Sequence, residues 1–240
     1  MANEHYKRLS DLRTAVRDRL DESTAAFWTD AQLNRYLNRA KDRVWSRVRA
    51  LEEDYFDTSR TSQDGSLTIL GETYAASSFK ITSGTSDYTL PPDFAEMRAM
   101  EVITSGYEWV LFRFRDLAKD EFRAARMLTD NFSPSEFLVD IFGEPAQMRI
   151  APKSDTALDL RITYVARIAD LSADTDRLLL PDPLYLAVEE YATAMALKQD
   201  RSPDAAAYEA SGDKIIAEAF GATRRQSQDV ETATGYLEND

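Results

Sequence analysis

Near the beginning of the chain, apolar residues recur every three or four positions, which is the spacing of one face of an α-helix. The first such run extends from Leu9 to Leu20. A second run extends from Leu33 to Leu51 and follows Thr29, a residue type that commonly caps a helix N-terminus. The pattern therefore predicts a helical hairpin within residues 1–54.

Between residues 55 and 180 the chain changes to short runs rich in β-branched and aromatic residues, separated by turns that contain Gly, Pro or Asp. Apolar and polar residues alternate most clearly in the last of these runs. A short helix is expected at 116–128. Strands are expected at 67–70, 79–82, 87–90, 100–104, 109–114, 136–142, 147–151 and 157–165.

Helical spacing returns after Pro183 and predicts a second helical hairpin, residues 181–221, that packs with the first. Its last helix is expected to end at Phe220, with Gly221 as the C-terminal cap. Residues 222–240 are polar and lack periodicity. The fold class that follows is α+β: a helical bundle from the N- and C-terminal helical hairpins, with an inserted antiparallel β-rich module (55–180) and an extended C-terminal tail.

Composition excludes several classes of site. The 240 residues include no Cys and one His, His5, so zinc ribbons, Cys nucleophiles and disulfide frameworks are ruled out. A catalyst built on His would depend on a residue close to the N-terminus. No apolar run approaches the length of a membrane span, and none near the N-terminus has the character of a signal peptide. We expect neither secretion nor membrane insertion.

The second predicted helix carries an arginine at every fourth position. Arg35, Arg39, Arg43 and Arg47 form the basic stripe, which lies opposite the apolar face. Like charges at this spacing destabilise a helix by about 0.2–0.5 kcal/mol per pair unless an acidic group faces them. We therefore expect the stripe to contact an acidic surface of a neighbouring subunit, of a partner or of this same chain. A solvated face and a nucleic-acid contact are the alternatives.

Two further groups of residues are candidates for contacts with partners. Glu52 and Glu53 oppose the dipole at the end of the second helix, so we expect them to pair with arginines of another element or subunit, or to be solvated. The polar tail cannot bury enough surface to fold alone and is expected to be disordered or to dock on a partner. Its candidate docking residues are Arg224, Arg225, Val230, Tyr236 and Leu237.

Catalytic motifs are missing from the sequence: it has no phosphate-binding loop, no zinc-protease motif and no calcium loop. Carboxylate pairs such as Glu189 with Glu190, or Asp174 with Asp176, have the residue types of a glycoside hydrolase. Such pairs arise by chance among 42 acidic residues, so none is specific. We expect no cofactor, no metal and no enzymatic activity.

Three stretches carry a resemblance to a known family. Trp28-Thr29-Asp30 opens the second helix, Leu90-Pro91-Pro92-Asp93 follows a predicted strand, and residues 174–181 lead into an alanine-rich helix. In these stretches, and over residues 9–220, the chain resembles the head-to-tail connector or adaptor proteins of tailed bacteriophages, including the tail tubular protein A type.

The resemblance implies a structural adaptor in the virion neck that forms a ring, commonly of twelve copies, between the portal and the tail. Its partners would be other copies of itself, the portal protein and the downstream tail or nozzle protein. Double-stranded DNA would pass through the ring without specific binding, and the ring would assemble in the host cytoplasm. The alternatives are another virion protein, such as a tail terminator or baseplate component, or a carboxylate-based cell-wall hydrolase carried on the tail.

The acidic excess is compatible with such a role. Twelve copies with a net charge of −13 each would carry about −156, and a channel wall of that sign would repel DNA phosphates instead of binding them.

Overall fold

The computed structural model describes residues 7–22, 27–70, 72–103, 110–111, 138–151, 153–154, 156–180 and 182–235, with the backbone alone at 110–111, 138 and 221–235. These residues form a mixed α+β fold, as the sequence predicts. The chain divides into two compact units. The helical unit comprises residues 1–55 and 168–240, and the β unit comprises residues 56–167.

Four α-helices form the described part of the helical unit: α1 (Leu9–Arg19), α2 (Asp30–Leu51), α3 (Leu184–Gln199) and α4 (Ala205–Gly235). The predicted cap of α2 is confirmed, because the Thr29 hydroxyl accepts a hydrogen bond from the backbone N–H of Gln32 and the Gln32 side chain accepts one from the Thr29 N–H. α3 is buried on several sides, which explains its run of alanines: small side chains let its neighbours approach from more than one direction.

The predicted end of the last helix is wrong. α4 continues through Gly221 and ends at Gly235, so most of the expected tail is helical backbone. A glycine inside a helix costs about 1 kcal/mol relative to alanine, which is too little to end a helix whose following residues include Ala, Arg and Gln and no Pro.

Residues 168–180 belong to the helical unit, whereas the sequence pattern predicts them to be part of the β-rich module. They follow the N-terminal part of α1 closely: the Leu9 N–H donates to the Asp176 carbonyl at 2.9 Å, and the Leu178 N–H donates to the Lys7 carbonyl at 2.9 Å. Leu171, Leu178 and Leu180 are buried. This segment is therefore an extended part of the helical core.

Nine strands are described in the β unit: β1 (Asp57–Thr61), β2 (Ser66–Ile69), β3 (Glu72–Ala75), β4 (Asp87–Thr89), β5 (Phe94–Ile103), β6 (Val110–Leu111), β7 (Leu138–Phe142), β8 (Gln147–Ala151) and β9 (Asp159–Ala166). Every pairing among them is antiparallel. The largest sheet has the order β1-β9-β5-β6, the second has the order β4-β8-β7, and β2 pairs with β3.

The first and last strands of the β unit are neighbours. Asp57 pairs with Val165, and the Ala166 N–H donates to the Phe56 carbonyl at 2.9 Å. The chain therefore enters and leaves the β unit at the same point.

Several strand predictions need correction. Residues 76–79 form a 3-10 helix, and Ile81 makes an isolated bridge to Leu158, where the sequence predicted a strand at 79–82. β1 and β3 were not predicted. The helix expected at 116–128 lies outside the described residues, as do most of the positions of the strand expected at 109–114.

The Leu90-Pro91-Pro92-Asp93 turn has a structural role in the β unit. It brings Asp93 to the buried hydroxyl of Tyr164, which donates to the Asp93 carboxylate at 2.7 Å. Arg60 donates to the Tyr164 oxygen at 2.6 Å and to the other carboxylate oxygen at 3.2 Å. Burial and the Asp93 carboxylate raise the pKa of Tyr164, so its proton stays in this network. The Leu90-Pro91-Pro92-Asp93 stretch carries part of the family resemblance. Its role in the structure is to hold this buried hydrogen-bond network together.

Candidate assembly interface

The first half of the basic stripe faces solvent. The apolar positions of α2, among them Leu33, Leu37 and Val44, are completely buried, which turns the arginines toward other sides of the helix. Arg35 and Arg39 are exposed. Within the residues that the structure describes, neither guanidinium has an ion-pair or hydrogen-bond partner.

The second half of the basic stripe contacts other helices of the same chain. Arg43 pairs with Glu209 of α4, and its guanidinium carbon lies 4.3 Å from the ring centroid of Tyr191 in α3. Arg47 lies 3.5 Å from the carboxylate of Asp213 in α4. The acidic surface that faces these two arginines is therefore part of the same chain.

Glu209 is the acidic centre of that contact. Lys198 approaches it at 2.6 Å, and Arg43 donates to the same carboxylate oxygen. These hydrogen bonds, from Lys198 first and then from Arg43, hold the pKa of Glu209 below its ordinary value of 4.5. The carboxylate is charged at neutral pH and forms the ion pair with the guanidinium of Arg43. Of the four arginines in the basic stripe, Arg35 and Arg39 are therefore the two that have no acidic partner among the described residues.

Tyr191 fixes how closely α3 and α4 approach. It is fully buried, and its hydroxyl donates to Asp213 at 2.6 Å. Gly212 lies against its ring: a Cβ atom there would be 2.9 Å from Cε1 and 3.1 Å from both Cδ1 and Cζ of Tyr191. Only hydrogen fits at position 212 while this hydrogen bond is kept.

We expect Gly212→Ala to lower the free energy of unfolding by about 1–2 kcal/mol, because the overlap with the Tyr191 ring outweighs the gain of about 1 kcal/mol in helix propensity. Denaturation followed by circular dichroism measures the effect. Gly65→Ala is the control, since a Cβ at Gly65 meets nothing within 4 Å; it should change stability by less than about 0.5 kcal/mol. A stabilising Gly212→Ala substitution would contradict the close approach.

Lys41 lies on the same helix as the basic stripe but is buried within the helical unit. Its side chain is 1% exposed. The ammonium donates to the carbonyls of Ile168 and Ala169 at 3.0 and 3.2 Å, and to the Asp170 carboxylate. All three of its donors are therefore used within the chain.

Asn38 lies one turn before Lys41 on α2 and holds the same segment. Its amide donates to the Leu171 carbonyl at 2.9 Å and accepts from the Leu171 N–H at 2.8 Å. Asn38 and Lys41 together bind the carbonyls of residues 168, 169 and 171 and the N–H of residue 171. This side of α2 is structural.

Glu52 and Glu53 follow α2 in different environments. The backbone N–H of Glu52 closes the helix by donating to the Val48 carbonyl at 2.8 Å. The pKa of Tyr55 is raised, first by burial of its ring and then by the charge of Glu52. Glu53 is exposed and lies at the edge of a cavity of about 550 Å³. The other residues that line the cavity are Trp45, Ser46, Arg49, Ala50 and Leu51.

The candidate docking residues near the C-terminus divide into two groups. Arg224, Arg225 and Val230 lie on the helical backbone of α4. Tyr236 and Leu237 lie outside the described residues.

The carboxylate pairs considered for hydrolysis have structural partners. Glu189 is buried and binds Arg19 at 2.8 Å, while Glu190 binds the same guanidinium at 3.2 Å. Burial raises the pKa of Glu189 despite this arginine. The Asp176 carboxylate accepts from the backbone N–H groups of residues 172 and 173, which lowers its pKa. Among the described residues, no cluster of His, Asp and Glu is arranged to hold a metal ion.

Sequence reasoning missed the arginines of α1, although Arg13 and Arg17 have the same four-residue spacing as the basic stripe. Each arginine of α1 pairs with an acid of the helical unit at the following distances: Arg13 with Asp174 at 2.9 Å, Arg17 with Glu22 at 3.1 Å and Arg19 with Glu189 at 2.8 Å. The spacing of arginines therefore does not distinguish internal ion pairs from free ones. Only the contacts seen in the structure separate Arg35 and Arg39 from the others, because Arg47 is exposed as well but lies beside Asp213.

Comparison with known proteins gives one family. The model of a family described as SU10 adaptor protein matches residues 7–235, which is nearly the whole chain. No curated protein matches the chain significantly. None of the helices in the described ranges is long and apolar enough to cross a membrane.

Proposed function

The chain belongs to the SU10 adaptor protein family, and from this premise we propose that it forms a ring, of twelve copies, that joins the portal to the tail of the virion and surrounds the DNA channel. The family makes the chain a structural adaptor of a phage, which places it in the virion among other virion proteins. Its structural role is consistent with a protein that is not an enzyme. The ring, its copy number, the portal as partner and the finer likeness to tail tubular protein A are our proposals.

The exposed pair Arg35 and Arg39 carries the proposal of a ring. The basic stripe has two further arginines, Arg43 and Arg47, and both face acids of the same chain. Glu209 and Asp213 supply the carboxylates that face Arg43 and Arg47. An acidic surface of a neighbouring copy can supply the carboxylates for Arg35 and Arg39 in the same way. A contact of this kind, between different surfaces of two copies, generates a closed ring when the rotation between copies closes.

The length of α4 supports docking on the portal. α3 has 16 residues and α4 has 31, so at 1.5 Å per residue the two helices are about 24 and 46 Å long. α4 turns back along α3 after residue 204. Because α4 is the longer helix, its last part, about 22 Å in length, extends beyond the end of α3 and cannot pack against it. Helices of about 15 residues are marginal in water without a partner. We propose that residues 222–240 obtain that partner from the portal.

The net negative charge of the chain supports the proposal that the ring surrounds a DNA channel. We propose that the wall is acidic, so that DNA slides through the ring without being bound. A ring structure whose channel is lined by Arg and Lys would contradict this part of the proposal.

Negative-stain imaging of the protein, with and without portal rings, tests the function. We expect twelve-fold rings on the portal. Six-fold rings that do not bind the portal would favour a tail terminator or a baseplate component instead.

Deletion of residues 222–240 should weaken docking on the portal by at least tenfold and leave the melting temperature of the free protein nearly unchanged, because α1, α2, α3 and the first half of α4 keep their contacts. Pull-down of the two proteins at several concentrations measures the docking. Glu218→Gln, just before the deleted segment and exposed, is the control and should dock normally. A shortened chain that docks with unchanged affinity would exclude these residues as the docking element.

A further inference from the structure

Phe27 is an exposed aromatic residue held in a fixed position. It lies in the connection between α1 and α2, and its side chain is 65% exposed, the highest value among the large apolar residues that the structure describes. Single exposed apolar residues are common and mean little by themselves. Here the surrounding contacts fix the backbone that presents the ring.

Glu22 provides the first of these contacts. Its carboxylate accepts hydrogen bonds from the backbone N–H groups of Phe27 and of Trp28, the latter at 3.0 Å. Both N–H groups precede α2 and have no partner inside the helix. The carboxylate accepts the hydrogen bonds that a backbone carbonyl would accept in a turn. The direction of the chain at Phe27 is thereby fixed from the end of α1.

Arg17 completes the arrangement from a buried position. Its guanidinium donates to Glu22 at 3.1 Å, to the Trp28 carbonyl at 2.7 Å and to Asp30 at 2.7 Å. Arg17 therefore joins α1, the residues that flank Phe27 and the first turn of α2. A buried arginine that donates to three separate groups holds them with little freedom.

Trp28 fixes the ring itself. It is buried, packs edge-on against Tyr36 at 6.1 Å, and makes an edge-to-face contact with Phe27 at 4.8 Å between ring centroids. One side of the Phe27 ring is supported and the other faces solvent. An aromatic side chain that is ordered before binding loses little entropy when a partner covers it, which is the property of an interface anchor.

We propose that Phe27 is the apolar anchor of the contact between neighbouring copies and that Arg17 and Glu22 are its positioning residues. The proposal rests on the ring of the proposed function and names its central contact. The occupant is an apolar socket, bordered by carboxylates, on a second copy of this chain. Charge complementarity selects the second copy: Phe27 precedes the helix that carries the exposed cations Arg35 and Arg39, and each copy has 42 acidic against 29 basic residues.

Phe27→Ser tests the anchor in the full chain with portal rings present, and mass photometry counts the copies on each portal. We expect copies of the variant to bind the portal singly with unchanged affinity, but to need at least tenfold more protein to complete a ring. The melting temperature should stay within about 2 °C, because the lost ring contacts little besides Trp28. Leu179→Ser is the matched control: Leu179 is 61% exposed in the same helical unit, and its loss should leave ring completion unchanged.

Glu22→Ala tests the positioning role. We expect it to impair ring completion in the wild-type background and to add almost nothing in the Phe27→Ser background, because a residue that acts through Phe27 has no effect once the aromatic ring is absent. Additive effects would show that Glu22 acts independently of Phe27 and would overturn its role as a positioning residue.

The outcomes separate this inference from the function on which it rests. Wild-type protein that forms no ring on the portal would defeat the proposed function. Wild-type rings that Phe27→Ser leaves intact would overturn the anchor alone. Loss of binding of even the first Phe27→Ser copy would assign Phe27 to the portal contact, and that result also overturns the proposal.

Discussion

The double charge reversal Arg35→Glu and Arg39→Glu is expected to weaken the contact between neighbouring copies by about 100-fold, which corresponds to about 2.8 kcal/mol for each contact. The physical reason is that both guanidinium groups are exposed and make no ion pair within the described part of the chain. Carboxylates in their place would meet the carboxylates of the next copy, and like charges across an interface cost several kcal/mol. Sedimentation velocity in the presence of portal rings measures the loss.

The same reversal should leave the free protein intact. Two exposed arginines without described partners add little to stability, so we expect the free energy of unfolding to change by less than about 0.5 kcal/mol. Arg43→Glu is the matched control on the same helix. It would add a third carboxylate beside Glu209 and Asp213, close to Tyr191, and we expect it to lower the free energy of unfolding by about 1–2 kcal/mol. If the double reversal destabilises the free chain as much as Arg43→Glu does, Arg35 and Arg39 belong to the fold and not to an interface.

Lys41→Met is expected to lower the free energy of unfolding by about 3 kcal/mol. Methionine retains most of the apolar stem but leaves the carbonyls of Ile168 and Ala169 without their donor, at a cost of about 1–3 kcal/mol for each buried polar group. Asp170 adds little to this cost, since its side chain is 79% exposed and water can solvate the carboxylate. Urea denaturation measures the change.

Arg39→Met is the control for Lys41→Met. It makes the same kind of substitution two positions earlier on α2, at an exposed cation with no described partner, and should change stability by less than about 0.5 kcal/mol. The comparison separates the loss of three hydrogen bonds from any effect of removing a positive charge. Equal effects of the two substitutions would show that the buried ammonium does not hold residues 168–171.

The helices could be predicted because their signals are local. The Thr29 cap and the apolar spacing of α2 depend on residues within a few turns of one another, and the structure confirms both. The β9 strand, Asp159–Ala166, was predicted at 157–165 for a similar reason, since its apolar and polar residues alternate. β1 was missed because Asp57–Thr61 is entirely polar. It becomes a strand through pairing with β9, about a hundred positions later in the sequence.

The candidate interface could be predicted only in part, because charge along a helix does not reveal what lies opposite. Arg39, Lys41 and Arg43 are neighbours in sequence and carry the same charge. One is exposed, one is buried under residues 168–170 and one meets α4. These differences arise from segments more than 100 residues away, and no local pattern encodes them. The exposed position of the Phe27 ring could not be predicted either, because it depends on the contacts of Glu22 and Arg17 with the adjoining backbone.

The adjoining ends of the β unit have an evolutionary consequence. Phe56 and Ala166 are hydrogen-bonded to each other, so residues 56–167 form a cassette that enters and leaves the chain at one point. A recombination event that exchanged this cassette for another with the same spacing between its ends would keep every contact within the helical unit. A phage lineage could then acquire a different β unit in one step, while the part of the adaptor that we propose assembles the ring remained unchanged.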